Sequence, residues 1–198
     1  MNPLAVAVFG YLLLGLEEAL RPALSLGETR IAPYLVVVLV CFVALHAPTL
    51  AALWTGLALG LCSDLLAARS AEGGAAVTVI IGPNAVGFLA AAGFVVVIRG
   101  LMMRRNPWVM VFLAVVGSAV AKVAAAFLLA VRSVLDPAIS ISPAVELTTG
   151  LGSSLYTAVT AAALVWPLNR MIGLFGFVDW RPGRGRVGGA ARPGRSRP

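Results

Sequence analysis

Two ionisable side chains stand inside long apolar stretches: Asp64, near the end of the third, and Lys122, inside the fifth. A charge in hydrocarbon is costly even on lenient insertion scales, so intramembrane charges mark functional positions by default. With about six crossings both residues fall in the outer half of the membrane, where Asp64 and Lys122 can pair and offset each other's desolvation. Such a pair would be a staple between helices or a binding or relay site, and the staple is the simpler reading. It predicts that replacing Lys122 alone destabilises the protein more than replacing both residues by apolar ones.

Small residues recur at four-residue spacing, which lets helix backbones approach closely in a membrane. Gly56 and Gly60 form a G-x-x-x-G in the third stretch, and Gly117, Ala121 and Ala125 a stripe in the fifth. Gly56, Gly60, Asp64 and Lys122 are therefore the candidate partner or packing surface, with internal packing and docking of a partner's helix both open. Catalytic, cofactor-binding and metal sites are not expected. His46, the only histidine, sits in a turn with no cysteine or carboxylate at ligand spacing. Gly150-Leu151-Gly152-Ser153-Ser154 resembles a phosphate-cradling loop but lacks the Lys-Ser/Thr ending. Cys41 and Cys62 read as small buried hydrophobes. A binding or scaffolding protein, not an enzyme, is the expectation.

The elements that must hold these residues follow from composition. Of 198 residues, 60% are hydrophobic and 12% charged, too few charges to cover a water-facing surface, so lipid must be the solvent. Apolar runs cover about 4–20, 32–45, 48–68, 83–99, 107–131 and 145–168. The first ends at Arg21-Pro22, carries Glu17-Glu18 where a signal peptide would have a small-residue cleavage site, and reads as a retained span. The second is Val-rich, as a buried strand would be, but its length and neighbours favour a helix in lipid. Residues 75–81 could start the fourth span or lie on the surface before it; Pro83 suits a helix's first turn. Residues 1–170 thus form an all-α integral membrane domain of about six helices, and 171–198 a disordered basic tail.

Charge then sets orientation. Arg99, Arg104 and Arg105 share a side with seven arginines at or beyond the last run (Arg170, Arg181, Arg184, Arg186, Arg192, Arg195 and Arg197). The positive-inside rule places both termini in the cytoplasm. Beside a membrane span, a basic tail points to anionic lipid head groups rather than nucleic acid.

The order of features from the second to the fourth span resembles the bacterial rod shape-determining protein MreD family. The second span is entered at Thr29-Arg30-Ile31-Ala32-Pro33-Tyr34, and His46-Ala47-Pro48 makes the turn after it. The third ends Gly60-Leu61-Cys62-Ser63-Asp64-Leu65-Leu66, the fourth opens Ile81-Gly82-Pro83-Asn84-Ala85-Val86-Gly87, and the last closes Val165-Trp166-Pro167-Leu168. The resemblance is continuous over 30–105, looser to 170, and fails in the tail and over 72–79. It implies an N-in/C-in bundle similar to vitamin-transporter S components, in the bacterial inner membrane. It implies a non-enzymatic role binding MreC in the elongation machinery for lateral peptidoglycan, alongside MreB, RodA and a class B penicillin-binding protein. Asp64 then stands where the family carries a carboxylate at the end of the third span. The alternative is the substrate-binding S component of an energy-coupling-factor vitamin transporter. Those proteins dock through Ala-x-x-x-Ala in the first span; here Phe9 follows Ala5, and Tyr11 follows Ala7, at that spacing, while Ala19 and Ala23 have it but straddle Arg21-Pro22, outside the expected helix.

Overall fold

A computed structural model describes residues 2–24, 31–66, 69–70, 77–78, 82–102, 107–135 and 143–177. Six helices follow in chain order: α1 (Pro3–Leu24), α2 (Leu35–His46), α3 (Thr49–Leu66), α4 (Pro83–Ile98), α5 (Pro107–Leu135) and α6 (Pro143–Arg170). Between α3 and α4, the two-residue strands β1 (Arg69–Ser70) and β2 (Val77–Thr78) pair antiparallel, with Arg69 opposite Thr78. The rest of the segment 75–81 lies outside the described residues, as do the loops at 25–30 and 136–142 and the tail from 178.

Proline sets most of the boundaries. Pro3, Pro83, Pro107 and Pro143 each open a helix, where the missing N–H costs nothing. Ala47, before Pro48, is extended (φ −87°, ψ 163°) and ends α2, as the clash with the proline ring requires. Tyr34, after Pro33, is also extended (φ −102°, ψ 96°) and delays the start of α2 to Leu35.

The Val-rich run is a helix and the hub of the molecule. All residues from Leu35 to Leu45 are buried, and α3, α4, α5, α6 and α1 all pack on α2. Phe42 and the valines from Val36 to Val40 form the centre of the core. A β-branched run takes this shape because in an apolar interior a helix alone satisfies every backbone group within its own segment.

Among the described residues, four helices are long and apolar enough to cross a membrane: Pro3–Leu24, Thr49–Leu66, Pro107–Arg132 and Leu147–Arg170. The other two apolar helices, α2 and α4, are shorter. At about 1.5 Å per residue, α2 (12 residues) covers only about 18 Å and α4 (16 residues) about 24 Å. α2 is enclosed by the other five helices, and α4 sits between α3 and α5 with Val86 and Val97 exposed.

The ordered body also passes the expected boundary at residue 170. Residues 171–176 turn back, and Phe175 is fully buried against Phe9 (5.1 Å between ring centroids) and Phe42 (5.4 Å). The Asn2 N–H donates to the Phe175 carbonyl (2.8 Å), so the two ends of the bundle meet on one side, the terminal end. Trp54, Trp108 and Trp166 are exposed in helix turns near that end, and the Arg170 guanidinium lies 3.8 Å over the Trp166 ring.

Candidate functional site

Asp64 lies in the last turn of α3, 2% exposed. Its Oδ2 accepts the N–H groups of Gly82 (2.9 Å) and Ala85 (3.0 Å), and Oδ1 accepts that of Asn84 (3.0 Å). Those are the otherwise unpaired donors at the start of α4, Pro83 having none. The carboxylate thus caps a neighbouring helix, favoured both by charge-assisted hydrogen bonds and by the helix dipole. The cap needs Gly82 at φ +126°, a backbone angle that side chains rarely adopt.

The two glycines preceding Asp64 on the same face serve that contact. A Cβ on Gly60 would lie 2.5 Å from Ala85 Cα, and one on Gly56 would lie 2.8 Å from the Phe88 carbonyl oxygen. Gly56, Gly60 and Asp64 therefore form one stripe pressed against α4. The stripe of α5 is likewise internal: Ala121 is buried, a Cβ on Gly87 would lie 2.5 Å from its carbonyl oxygen, and Gly117 faces Cys41 Sγ. Of the two readings the sequence left open for these residues, internal packing is the one these contacts describe.

The proposed Asp64–Lys122 pair is not formed. Asp64 is engaged by α4, while Lys122 points toward the start of α2, with Nζ 3.8 Å from the centre of the Tyr34 ring. Its stem lies along α6, where a Cβ on Gly150 would come within 3.1 Å of Lys122 Cβ. Glu17 of α1 lies near enough to feel its charge.

Glu17 is the residue that sequence reasoning missed, reading it only as part of the polar end of the first apolar run. It is 8% exposed, and its Oε2 accepts the Val36 N–H (3.0 Å) at the start of α2. Arg21, one turn on, approaches Oε1 at 4.0 Å. A signal for its burial was present: Val6, Gly10, Leu13, Leu14 and Glu17 share one helical face, and the first four are apolar. The same entry to α2 is held from α6, where Ser153 Oγ accepts the Ala32 N–H (3.3 Å) and Thr157 Oγ1 that of Tyr34 (3.0 Å). The Gly-rich run at 150–154 is thus helix, its glycines making room for Lys122 and Ile31.

At the terminal end, Arg99 reaches back from the end of α4 to the turn between α2 and α3. Its Nη1 donates to the carbonyls of Ala44 (2.9 Å) and Ala47, and its Nη2 to Thr49 Oγ1 (3.0 Å). His46 is the last residue of α2, with Nδ1 2.9 Å from the Phe42 carbonyl and its ring packed on Phe42 and Phe177. Among the described residues, no group of three His, Cys, Asp or Glu side chains is placed to hold a metal ion.

Two clefts open sideways on the outer faces of the helices. One, of about 450 Å³, is a shallow apolar face of α5 around Val120 and Val123. The other, of about 750 Å³, runs between α1 and α3.

Fold and site together give a helical bundle in which four helices are long and apolar enough to cross a membrane, and in which the buried carboxylates Glu17 and Asp64 accept N–H groups at the starts of other helices. No family model, no curated protein and no solved structure matches the chain.

Proposed function

We propose that this chain is a non-enzymatic scaffold of the MreD type in the bacterial inner membrane, which binds MreC and supports lateral peptidoglycan synthesis. The observation that carries the reading is the unit made by Gly60 and Asp64 with the start of α4. The resemblance rests most heavily on that segment, Gly60 to Gly87, and each of its polar and small residues has a structural task there. A glycine permits the close approach of α4, a carboxylate one turn later caps it, and Gly-Pro supplies its first turn. The interior charges have structural tasks too, and both clefts are lined almost wholly by apolar groups and face outward. A vitamin-binding S component calls instead for several convergent polar or aromatic groups around an enclosed ligand. In this reading the arginine-rich tail lies in the cytoplasm against anionic lipid, and MreB, RodA and a class B penicillin-binding protein join through the same assembly.

Affinity purification of the tagged protein from mild detergent tests the proposal. Recovery of MreC, with or without the peptidoglycan synthase pair, is the expected result. Recovery of an ATPase with its membrane coupling subunit, or a bound vitamin identified by mass spectrometry, would make the chain a transporter component instead.

A further inference from the structure

The interior polar groups lie near one level. At about 1.5 Å per residue along its own helix from the terminal end, each of Glu17, Asp64, Lys122 and Thr157 stands about 20–22 Å in. α2 and α4 both start near this level, and in a bilayer core of about 30 Å it falls in the half away from the termini. Backbone that leaves the helix at such depth must find partners. It does: Ser153 and Thr157 take the N–H groups of Ala32 and Tyr34, Glu17 takes that of Val36, and Asp64 those at the start of α4.

Lys122 is the exception. Among the described residues no oxygen accepts a hydrogen bond from its Nζ, which rests 3.8 Å over the Tyr34 ring. Glu17 is near enough to feel the charge but forms no ion pair with it, one carboxylate oxygen being taken by the Val36 N–H and the other approached by Arg21. The Tyr34 hydroxyl likewise has no hydrogen-bond partner among the described residues. Every fully buried side-chain nitrogen or oxygen there does have one, so these two unpartnered groups stand where something from outside can reach them. Lys122 and Tyr34 are both half-buried. α1 packs chiefly on α2 and α6 chiefly on α5, so the two helices that hold the start of α2 make no extensive contact with each other.

We propose that Lys122 Nζ and the Tyr34 hydroxyl bind an oxyanion, a phosphate or carboxylate group that enters from the face of the membrane opposite the termini. The ring leaves the N–H groups of the ammonium free on its other side, and a charged acceptor makes the strongest hydrogen bonds with an ammonium and a phenol. The two carboxylates of the layer are already committed to helix starts, so the charge still to be met there is positive. The head-group phosphate of a lipid and a free anion share this chemistry. The site goes beyond the scaffold reading and stands without it.

The test uses the full chain in mild detergent with two probes, dioleoylphosphatidylglycerol and inorganic phosphate, and dioleoylglycerol as a phosphate-free control. Binding is read from unfolding midpoints and from bound mass in native mass spectrometry; the basic tail is common to every variant and contributes equally. Lys122→Met should weaken binding by about tenfold, and Lys122→Arg should restore most of it. Tyr34→Phe keeps the ring beneath Lys122 and should weaken binding by about threefold, a readout that survives if Lys122→Met does not fold. Lys122-dependent binding of the phospholipid alone assigns the site to a head group; the same dependence with inorganic phosphate assigns it to a free anion. Equal binding of both probes by the unaltered chain and the Lys122→Met and Tyr34→Phe variants would overturn the site. So would a fall in the Lys122→Met midpoint that is the same with and without either probe, since packing alone would explain it.

Discussion

Asp64 and Glu17 perform one task on two helices. Each is a buried carboxylate on one helix that accepts N–H groups at the start of another, so each joins a pair of elements and neutralises a helix end. Replacing Asp64 by alanine leaves three donors in an apolar setting, and a loss of roughly 3 kcal/mol or more is expected at about 1–3 kcal/mol per unsatisfied group. Asp64→Asn keeps one acceptor oxygen and should lose less than half as much; thermal unfolding of the detergent-solubilised variants makes the comparison. Glu17 bonds Val36 and Lys122 lies over Tyr34, both at the entry to α2, so Glu17→Gln and Lys122→Met should couple measurably in a double-mutant cycle. The cycle of Asp64→Asn with Lys122→Met should be additive, because the two residues hold different helices. Coupling in the second cycle and none in the first would reverse the assignment of Lys122.

Among the helices, glycine marks where backbones touch. Gly60 and Gly87 admit α4 between α3 and α5, and a methyl group at either would strike backbone atoms at about the 2.5 Å given for both sites. Gly60→Ala and Gly87→Ala should each cost about 2 kcal/mol or more by overpacking. Gly15→Ala offers a control on the open flank of α1: its Cβ meets nothing, and alanine's better helix propensity should leave stability equal or raised by up to about 1 kcal/mol. Equal effects at all three positions, read from unfolding midpoints, would contradict the close approach of α4.

For the molecule as a whole, the closing element is the turn after α6. Phe175 fills the terminal end of the core beside Phe9 and Phe42, and its carbonyl holds the Asn2 N–H. A chain ending after Phe177 should therefore fold like the full protein. One ending after Arg170 should lose stability by at least the ~3–5 kcal/mol of a buried Phe→Ala change, measured by melting and by yield in detergent. Because both ends lie on one side of the bundle, reporters fused to the N-terminus and to the C-terminus should report the same compartment, the cytoplasm if charge sets orientation. Opposite compartments would rule out the proposed topology.

Apolar runs and proline positions were enough to place six helices, because lipid leaves a buried segment few alternatives to the helix and proline marks where one starts or stops. The start of α4 at Pro83 and the turn at His46-Ala47-Pro48 were legible in this way. Which helices reach lipid was not legible: α2 is as apolar as any span, and its enclosure depends on five other elements closing round it. The same holds for the charges. The sequence alone marked Asp64 and Lys122 as residues whose burial must be compensated. Their partners are backbone N–H groups at a distant helix start and the ring of Tyr34, and neither leaves a trace in residue spacing. Glu17 escaped notice because two adjacent glutamates near the end of an apolar run look alike, and a turn of about 100° per residue puts one in the core and the other on the rim of a cleft. Composition settled the solvent and the elements; the direction in which each side chain leaves its helix, fixed by tertiary packing, settled what the charges do.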